Sequence, residues 1–442
     1  MNHRFLFICL FAGFFSLDAK ALISKTPNKE FLQQTFAGYQ GWFSTQKLSK
    51  NGIWTHWNAG QIPSVGQIKF ELYPDVREYN ADDLQETGLG VLGNGQPSML
   101  FASDRAGVVD THFRWMKEYG IDGVALQRFV SELNLPFQKM LRDDVAVLVR
   151  QNAQKYDRSF YMEYDITSSN EATLVSDIKK DWLELETKVL DSPQYAKHKG
   201  RPVIALWGFG YTDRPGTQEQ ALELIRWFHE KGFMVIGGVP YWWRQGINNS
   251  KANWLSTYLK FDMVQPWSVG VYASALELLN NHVKMHIDDK KLCDQYNVLY
   301  QRVIFPGFAW SNWNGGKFNM IPRAAGDLFW AQAYWTKKLG VSAFIAMFDE
   351  YDESTAIAKA AENASMSPVS QKFLTLDADG KNISSDFYLR VAGDITKLLR
   401  GEKQLTACLE QPYRLPESRT DKFKRVFRQK VSCSGIVKCL VK

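Results

Sequence analysis

The 442-residue sequence contains little cysteine and little histidine, five residues of the first and seven of the second. No two cysteines are spaced as CxxC, and no cysteine and histidine are spaced as CxxH. Structural zinc sites usually draw their ligands from such closely spaced pairs. The sequence therefore does not indicate a zinc site.

Beyond its N-terminus the sequence also lacks an uncharged apolar run of about 20 residues, the length that a membrane-spanning helix needs. The N-terminus has a basic start, MNHR, then the short apolar run FLFICLFAGFF, then the small-residue pattern AKA at residues 19–21. This order is typical of a secretory signal peptide. We predict that residues 1–21 are a cleaved signal peptide, that the mature protein is secreted or periplasmic, and that it has no membrane anchor.

Most of the chain has no surplus of basic residues, although the formal net charge is +6. Residues 401–442 hold ten Lys or Arg against four Asp or Glu, so the rest of the chain is close to neutral. Nucleic-acid binding through the body would have no electrostatic support, and we expect no nucleic-acid partner. We interpret residues 401–442 as a basic C-terminal tail. In an oxidising compartment, Cys408 of this tail is expected to pair with Cys433 or Cys439.

No GxGxxG turn that opens a helix follows the first predicted strand, so the usual mark of a dinucleotide-binding fold is missing. Instead, eight apolar segments alternate with polar loops and amphipathic helical patterns. These segments are residues 35–43, 121–129, 159–167, 201–210, 233–243, 261–270, 302–310 and 342–350. Strands that alternate with helices form parallel sheets. We predict an α/β fold, a (β/α)8 TIM barrel over residues 22–400, with a long insertion, residues 44–103, after the first strand and over the barrel mouth.

Aromatic and polar side chains gather at the predicted carboxyl ends of the strands, where TIM barrels build their active sites. Aromatic rings pack against the C–H faces of sugars, and amide or carboxylate groups bind sugar hydroxyls. The alternative is that single tryptophans cap the barrel core. We predict a sugar-binding groove lined by Trp42, Gln127, Arg128, Asp165, Trp207, Tyr241, Trp243, Gln265, Trp267, Trp310 and Asn312.

The stretch FIAMFDEYDES, residues 344–354, begins apolar and ends with four acids within five residues. On an extended strand Glu350 would continue the face of Phe348, and a turn after Tyr351 would bring Glu353 to the same side. Two carboxyl groups in one pocket raise at least one pKa and so supply an acid and a base. Paired carboxylates of this kind cleave glycosidic bonds. We predict Glu350 and Glu353 as the catalytic pair.

Two other interpretations of these acids remain open. Asp349, Asp352 and Glu353 could bind Ca²⁺, although their spacing is not that of an EF-hand loop. The acids could also cap a following helix with the sequence TAIAKAAEN, because negative charge is stabilising at a helix N-terminus.

The acidic stretch resembles the FDEWHEG signature of glycoside hydrolase family 99, the endo-α-mannosidases. It is more similar to the FDExDEGTAI stretch of bacterial relatives that are labelled xylosidase- or arabinosidase-like. Further stretches that are similar to those relatives, such as GYQGWF, THWN, GRPVIALWGFG, VIGGVPYWWR, QPWSVG and FPGFAWSN, extend the resemblance from residue 36 to about residue 360. We add Trp57 of THWN and Asp349 of the acidic stretch to the expected substrate contacts.

This resemblance implies a (β/α)8 barrel that cleaves α-linked glycans with retention and needs no metal or organic cofactor. It implies that Glu350 deprotonates the 2-hydroxyl group of the sugar, which gives an epoxide-type intermediate, and that Glu353 is the general acid and then the base. The sequence departs from family 99 at Tyr351-Asp352, which replace Trp-His, and at Ser354, which replaces Gly. A third carboxylate in the pocket would change the balance of pKa values.

We therefore expect a polysaccharide or oligosaccharide partner without naming the sugar, the linkage or the oligomeric state. Two alternatives from other classes stay open. One is a carbohydrate-binding protein on a catalytically inactive barrel, and the other is a secreted interaction or effector protein that uses the basic tail.

Overall fold

The structure, a computed structural model, describes residues 30–409. The predicted signal peptide and most of the predicted tail lie outside the described residues. Cys408 is disulfide-bonded, while its two predicted partners, Cys433 and Cys439, also lie outside that part of the chain. Within residues 30–409, no helix is long and apolar enough to cross a membrane.

The strands, in chain order, are β1 (Phe36–Tyr39), β2 (Leu84–Val91), β3 (Pro97–Phe101), β4 (Gly123–Phe129), β5 (Ser159–Asp165), β6 (Lys197–His198), β7 (Arg201–Trp207), β8 (Met234–Pro240), β9 (Met263–Trp267), β10 (Leu299–Ile304) and β11 (Ser342–Ile345). The helices are α1 (Ala106–Tyr119), α2 (Pro136–Tyr156), α3 (Leu174–Val189), α4 (Gln218–Glu230), α5 (Leu255–Tyr258), α6 (Ala275–Glu277), α7 (Val283–Gln295), α8 (Ser311–Asn314), α9 (Asp327–Leu339) and α10 (Phe387–Arg400). A π-helical segment, Leu278–His282, joins α6 to α7.

Eight parallel strands close into a barrel in the order β1, β4, β5, β7, β8, β9, β10 and β11, and β11 pairs with β1 to complete the ring. Each of the eight predicted segments contains or overlaps one of these strands, so the predicted (β/α)8 TIM barrel is confirmed. Strand β6 pairs with β7 antiparallel, and β2 and β3 form a separate hairpin.

The helices end where the sequence supplies a residue that can reverse the backbone. Gly120 follows α1 with φ 81°, and Gly340 follows α9 with φ 66°. Both are in the left-handed region, where glycine has no steric penalty. At the other end of a helix, Thr217 and Gln220 form a capping box at the start of α4. These local signals set where the helices begin and end, after which the chain returns to the next strand.

The insertion after β1 reaches the mouth of the barrel, as predicted. It contains the hairpin of β2 and β3, and its first part packs on the loop after β1, where Trp57 stacks on Phe43 at 3.8 Å between ring centres. The indole N–H of Trp57 donates a hydrogen bond of 2.7 Å to the carbonyl of Phe101 at the end of β3. This anchoring positions the neighbouring residue His56 at the edge of the cavity described below.

The predicted extension of the last strand to Glu350 is wrong, because β11 ends at Ile345. After that residue the chain turns back on itself: the N–H of Met347 donates to the carbonyl of Thr355, and the N–H of Ile357 donates to the carbonyl of Met347. The alternation of side chains along a strand therefore does not govern the orientation of Glu350.

The helix TAIAKAAEN, considered above as an element that the acids could cap, does not form either. Residues 355–363 are non-helical, and Ala360 forms a bridge to Pro74 of the insertion. The backbone of this alanine-rich stretch forms hydrogen bonds to Met347, to Phe348 and to the insertion, so tertiary pairing outweighs its local helix propensity.

The interior of the barrel is partly polar. Glu163 of β5 is fully buried there and accepts a hydrogen bond of 3.2 Å from the side chain of Gln127 on β4. Burial raises the pKa of Glu163 to about 8, and the charge of Asp165 adds to this rise, while the hydrogen bond from Gln127 opposes it. Glu163 therefore binds a proton in the folded protein at pH values where it is ionised in the unfolded chain.

We predict that Glu163→Gln makes the stability of the fold less dependent on pH. Because the pKa of Glu163 is raised from 4.5 to about 8 on folding, the folded wild type loses stability as the pH rises through this window, by up to about 1.4 kcal/mol per pH unit. The neutral glutamine removes this loss, so the variant should gain stability relative to the wild type between about pH 5 and about pH 8.

Urea unfolding followed by circular dichroism at both pH values measures this difference. Glu223→Gln, on the exposed face of α4, is the matched control. An equal pH dependence in wild type and Glu163→Gln would contradict the prediction.

Candidate active site

A cavity of about 730 Å³ lies at the carboxyl ends of the barrel strands. It is built by the loops that follow these strands and by part of the insertion after β1. Of the residues predicted from the sequence, the cavity wall contains Trp42, Gln127, Asp165, Trp207, Trp267, Trp310, Glu350 and Glu353. The structure thus brings both predicted catalytic glutamates into one cavity with four of the predicted tryptophans.

Several predicted residues lie behind the wall and do not line it. Arg128 follows Gln127 on β4, so its side chain points to the opposite face of the strand, where it donates a 2.6 Å hydrogen bond to Asp181 of α3. Gln265 lies inside the barrel and donates to Gln301 at 2.8 Å. Both side chains are almost completely buried.

Tyr241, Trp243 and Trp57 are also buried away from the cavity wall. The hydroxyl of Tyr241 lies 3.0 Å from Nδ1 of His282, and Trp243 packs edge-on against Tyr258. Aromatic side chains after a strand are thus divided here between the cavity and the packing of the loops, a division that residue type alone does not reveal.

Asn312 connects the loop after β10 to the insertion and lies outside the wall. Its side-chain amide donates to the carbonyls of Phe70 and Lys372, both at 3.2 Å. Its backbone N–H donates to Glu71 at 2.8 Å. The structure therefore gives Asn312 contacts within the protein.

Asp349, also behind the wall, fixes the start of the acidic turn, residues 349–354. Its carboxylate accepts the backbone N–H groups of Gln40 at 2.7 Å and of Gly41 at 2.9 Å, just after β1. Burial raises the pKa of Asp349 to about 7, and these two N–H groups oppose the rise. Both carboxylate oxygens of Asp349 thus accept backbone hydrogen bonds from the residues just after β1.

The carbonyl groups of the acidic turn are held from two neighbouring loops. The carbonyl of Tyr351 accepts the N–H groups of Glu71 at 3.1 Å and Leu72 at 3.0 Å, both in the insertion. The carbonyl of Glu353 accepts the N–H of Ala309, after β10, at 3.0 Å. The turn is therefore fastened on either side of the cavity.

Arg323 holds the far end of the turn. Its Nη2 donates to the carbonyl of Ser354 at 2.8 Å and to the carbonyl of Ala356 at 2.6 Å, and its guanidinium group lies over the ring of Tyr388. Ser354 has φ 57°, in the left-handed region that favours glycine. These contacts keep the serine backbone in that conformation.

Glu350 is almost fully buried, and its carboxylate accepts two hydrogen bonds. Nε2 of Gln40 donates to one oxygen at 2.9 Å, and the hydroxyl of Thr355 donates to the other at 2.7 Å. Burial raises the pKa of Glu350 to about 8, and repulsion from Asp352 adds to the rise, whereas both hydrogen bonds oppose it. The two donors favour the ionised form of a group that burial would otherwise keep protonated.

Glu353 is less buried than Glu350, and different groups surround its carboxylate. Burial raises its pKa well above the ordinary value, and the charges of Glu350 and Asp352 add to this effect, while Arg214 opposes it. Within the described part of the chain, no hydrogen-bond donor contacts its carboxylate. The protonated form of Glu353 is therefore favoured more strongly by its surroundings than that of Glu350, which has two donors.

Asp352 adds a carboxyl group beside Glu350 and Glu353 in the cavity wall, as the sequence departure suggested. Its Oδ2 lies 3.1 Å from Nδ1 of His56, and the His56 ring stacks on Trp42 with 3.7 Å between centres and an interplanar angle of 5°. Burial raises the pKa of Asp352 well above its usual range and lowers that of His56 to about 3.

Two groups of aromatic rings belong to the cavity wall. Trp207 meets Trp267 edge-on at 5.4 Å and lies 5.0 Å from Tyr211. Trp310 lies 6.0 Å from Trp313, which is exposed. The wall thus combines aromatic rings with the carboxyl groups of Glu350, Asp352 and Glu353.

Some wall residues were not predicted as site residues, notably Gln40, His56, Tyr211 and Arg214. Gln40 stands two positions before Trp42, so its place at a strand end was a usable signal. His56 lies in the THWN stretch beside the predicted Trp57, yet it is the histidine that faces the cavity. Tyr211 and Arg214 belong to the loop after β7 and carried no distinct signal.

The calcium interpretation of the acids gains no support from this arrangement. Asp349 is directed to the backbone after β1. Among residues 30–409, no group of three or more His, Cys, Asp or Glu side chains is arranged to hold a metal ion.

Comparison with solved structures supports the fold. No protein-family model matches the sequence, and no curated protein matches it in a sequence search. The structure is similar to two structures of the GH99 endo-α-mannosidase from Bacteroides thetaiotaomicron, one of them in complex with bis-tris-propane. In both comparisons the TM-score is 0.60, the identity is 13%, and the alignment covers 84% of this chain and 98% of the other. The chain therefore shares the (β/α)8 fold of these GH99 structures over most of its length.

Proposed function

We propose that this protein is a glycoside hydrolase that cleaves α-linked glycans with retention and acts outside the cytoplasm. The observation that carries the proposal is the meeting of Glu350 and Glu353 in one ring-bordered cavity at the carboxyl ends of a TIM barrel. The similarity in fold to endo-α-mannosidases supports the same class of substrate, a glycan. The predicted signal peptide supports the location.

The hydrogen bonds favour one assignment of roles. Glu350 accepts two hydrogen bonds, which stabilise its carboxylate, so it is the better base. Glu353 has no such donor in the described residues, and burial together with the neighbouring Glu350 raises its pKa, so it is the better proton donor. This assignment agrees with the one that the resemblance to family 99 implies.

The reaction then follows in two steps. Glu350 removes the proton of the 2-hydroxyl group, whose oxygen attacks the anomeric carbon as the glycosidic bond breaks, and Glu353 protonates the departing oxygen. In the second step Glu353 takes a proton from water, the water oxygen opens the three-membered ring at the anomeric carbon, and protonated Glu350 returns its proton to the 2-oxygen. Two inversions at one carbon give net retention.

Gln40 and Arg142 would position the base. Nη1 of Arg142 donates to the backbone carbonyl of Gln40 at 2.7 Å, and the Gln40 side chain donates to Glu350. Arg142 is itself paired with Glu132 and packs beside the rings of Trp42 and Phe129. A base held in this way meets the substrate in a fixed orientation, which favours proton transfer.

We predict that Glu353→Gln strongly reduces hydrolysis but preserves glycan binding. Loss of a general acid lowers turnover by about 10² to 10⁴-fold, whereas the glutamine keeps the shape of the wall. The measurement is digestion of a panel of α-mannans, α-glucans, arabinoxylans and host glycans by the full-length protein, with products identified by mass and the configuration of the product by proton NMR.

Glu223→Gln on the outer surface is the matched control and should keep wild-type activity. Full activity of Glu353→Gln would refute the proposed mechanism. If the wild type binds a glycan of the panel and releases no product, the protein is a carbohydrate-binding barrel. If it does neither, the interaction or effector alternative gains support.

We predict that Thr355→Val shifts the acid limb of the pH–activity profile to higher pH. The Thr355 hydroxyl stabilises ionised Glu350, so its removal raises the pKa of the base, by about 0.7 units for a hydrogen bond of about 1 kcal/mol. The profile of kcat/KM on the best substrate of the panel measures the shift. Thr396→Val, a buried position on α10, is the control, and a shift to lower pH in Thr355→Val would exclude Glu350 as the base.

A further inference from the structure

His56 is held in one orientation at the edge of the cavity. Its ring lies flat on Trp42, and its Nδ1 faces Oδ2 of Asp352 at 3.1 Å. Its backbone has φ 61°, a left-handed conformation that a residue with a side chain adopts at a cost. The stacking on Trp42 and the contact with Asp352 fix the orientation of the imidazole ring. The His56 side chain is 30% exposed and belongs to the cavity wall.

Asp352 needs a proton at this position. It is 3% exposed, and its Oδ1 has no hydrogen-bond partner among the described residues. Its charge would lie close to those of Glu350, Glu353 and Asp349. The N–H groups of Asp352 itself and of Glu353 favour its ionised form, but burial outweighs them. His56 provides the single ion-pair partner of Asp352 within the described chain.

The charges around His56 do not favour an imidazolium ion. Glu132 favours the charged ring, Arg142 disfavours it, and burial of the ring outweighs both. A charged pair of His56 and Asp352 would also place the buried carboxylate of Asp352 beside a second, partly buried charge, which is costly unless further hydrogen bonds compensate. A neutral pair avoids that cost and still forms the hydrogen bond.

We propose that His56 and Asp352 form a neutral hydrogen-bonded pair, in which the Asp352 carboxyl group donates to Nδ1 of His56 and the N–H at Nε2 of His56 is a donor for a substrate oxygen. Asp352 is then a positioning residue, and His56 is a substrate-binding residue that selects an oxygen acceptor on the sugar. The part of the proposal that concerns the substrate rests on the proposed hydrolase function. The state of the pair in the free protein does not.

The pair also explains how the cavity accommodates a further carboxyl group beside the two glutamates. A neutral Asp352 adds no charge there, so Glu350 and Glu353 can hold one proton in total before and after each step of the reaction without repulsion from Asp352. Asp352, at a position where the sequence departs from family 99, would therefore orient His56 by a hydrogen bond and leave the total charge of Glu350 and Glu353 unchanged.

The first test is NMR of the full-length protein with ¹⁵N-labelled histidine, which reports the tautomer and charge of each ring. The His56 signals are assigned by their loss in His56→Gln. We expect a neutral ring with its proton on Nε2 from about pH 8 to about pH 5, and the same state in Asp352→Asn, whose amide can replace the carboxyl donor. An imidazolium ring in this range, or a proton on Nδ1, would overturn the proposal.

The second test uses the best substrate of the glycan panel. We expect the pH profile of kcat/KM in Asp352→Asn to keep its wild-type position, because no charge is removed. His56→Gln should raise KM by about tenfold, the effect of one lost hydrogen bond to substrate, with a smaller change in kcat. A shift of the profile in Asp352→Asn would mean that Asp352 is ionised.

The two tests separate the proposal from the proposed function. If no glycan is hydrolysed, the hydrolase function fails, while the NMR result still decides the state of the pair. If hydrolysis occurs and the NMR spectrum reports a charged His56, only the neutral pair fails. An asparagine variant that does not fold is recognised by circular dichroism, and the NMR of the wild type then decides alone.

Discussion

The side chain of Asp349 joins the segment after the last strand of the barrel to the residues after the first, and the arrangement of the cavity depends on this contact. Its carboxylate accepts the backbone N–H groups of Gln40 and Gly41. The contact requires β11 to lie beside β1, which follows from closure of the barrel. A buried carboxyl group is unfavourable unless it is hydrogen-bonded, so the two N–H groups offset the desolvation of Asp349 and fix where the acidic turn begins.

From that starting point, the cavity follows from the contacts that hold the rest of the turn. Backbone donors from the insertion and from the loop after β10 fasten its carbonyls, and Arg323 fastens its end. Glu350 and Glu353 are therefore presented to one cavity by backbone geometry and not by the alternation of a strand. The residues that perform the proposed chemistry are supported by several separate elements, which is what a preorganised site requires.

The sequence was sufficient to predict the barrel because the pattern of strand and helix is repeated eight times. An error in the bounds of one strand does not change the predicted fold. The sequence predicted the site less well, because there the orientation of each single side chain decides whether it lines the cavity. Gln127 and Arg128 are neighbours on β4, yet one faces the cavity and the other binds Asp181 outside the barrel. The residues after Ile345 were misread as strand and helix because their backbone partners, such as Pro74 and Thr355, are distant or lie across a turn.

The carboxyl groups of the cavity suit a reaction that develops positive charge. Burial raises the pKa of Glu350 to about 8 and that of Asp165 to about 6. A cation that forms nearby lowers such pKa values, because it favours the ionised form. The transition state of glycosidic cleavage is cationic at the sugar ring, so these groups would interact with it more strongly than with the neutral substrate. Binding that strengthens only in the transition state is the kind that accelerates a reaction, and burial of the acids is what creates that difference here.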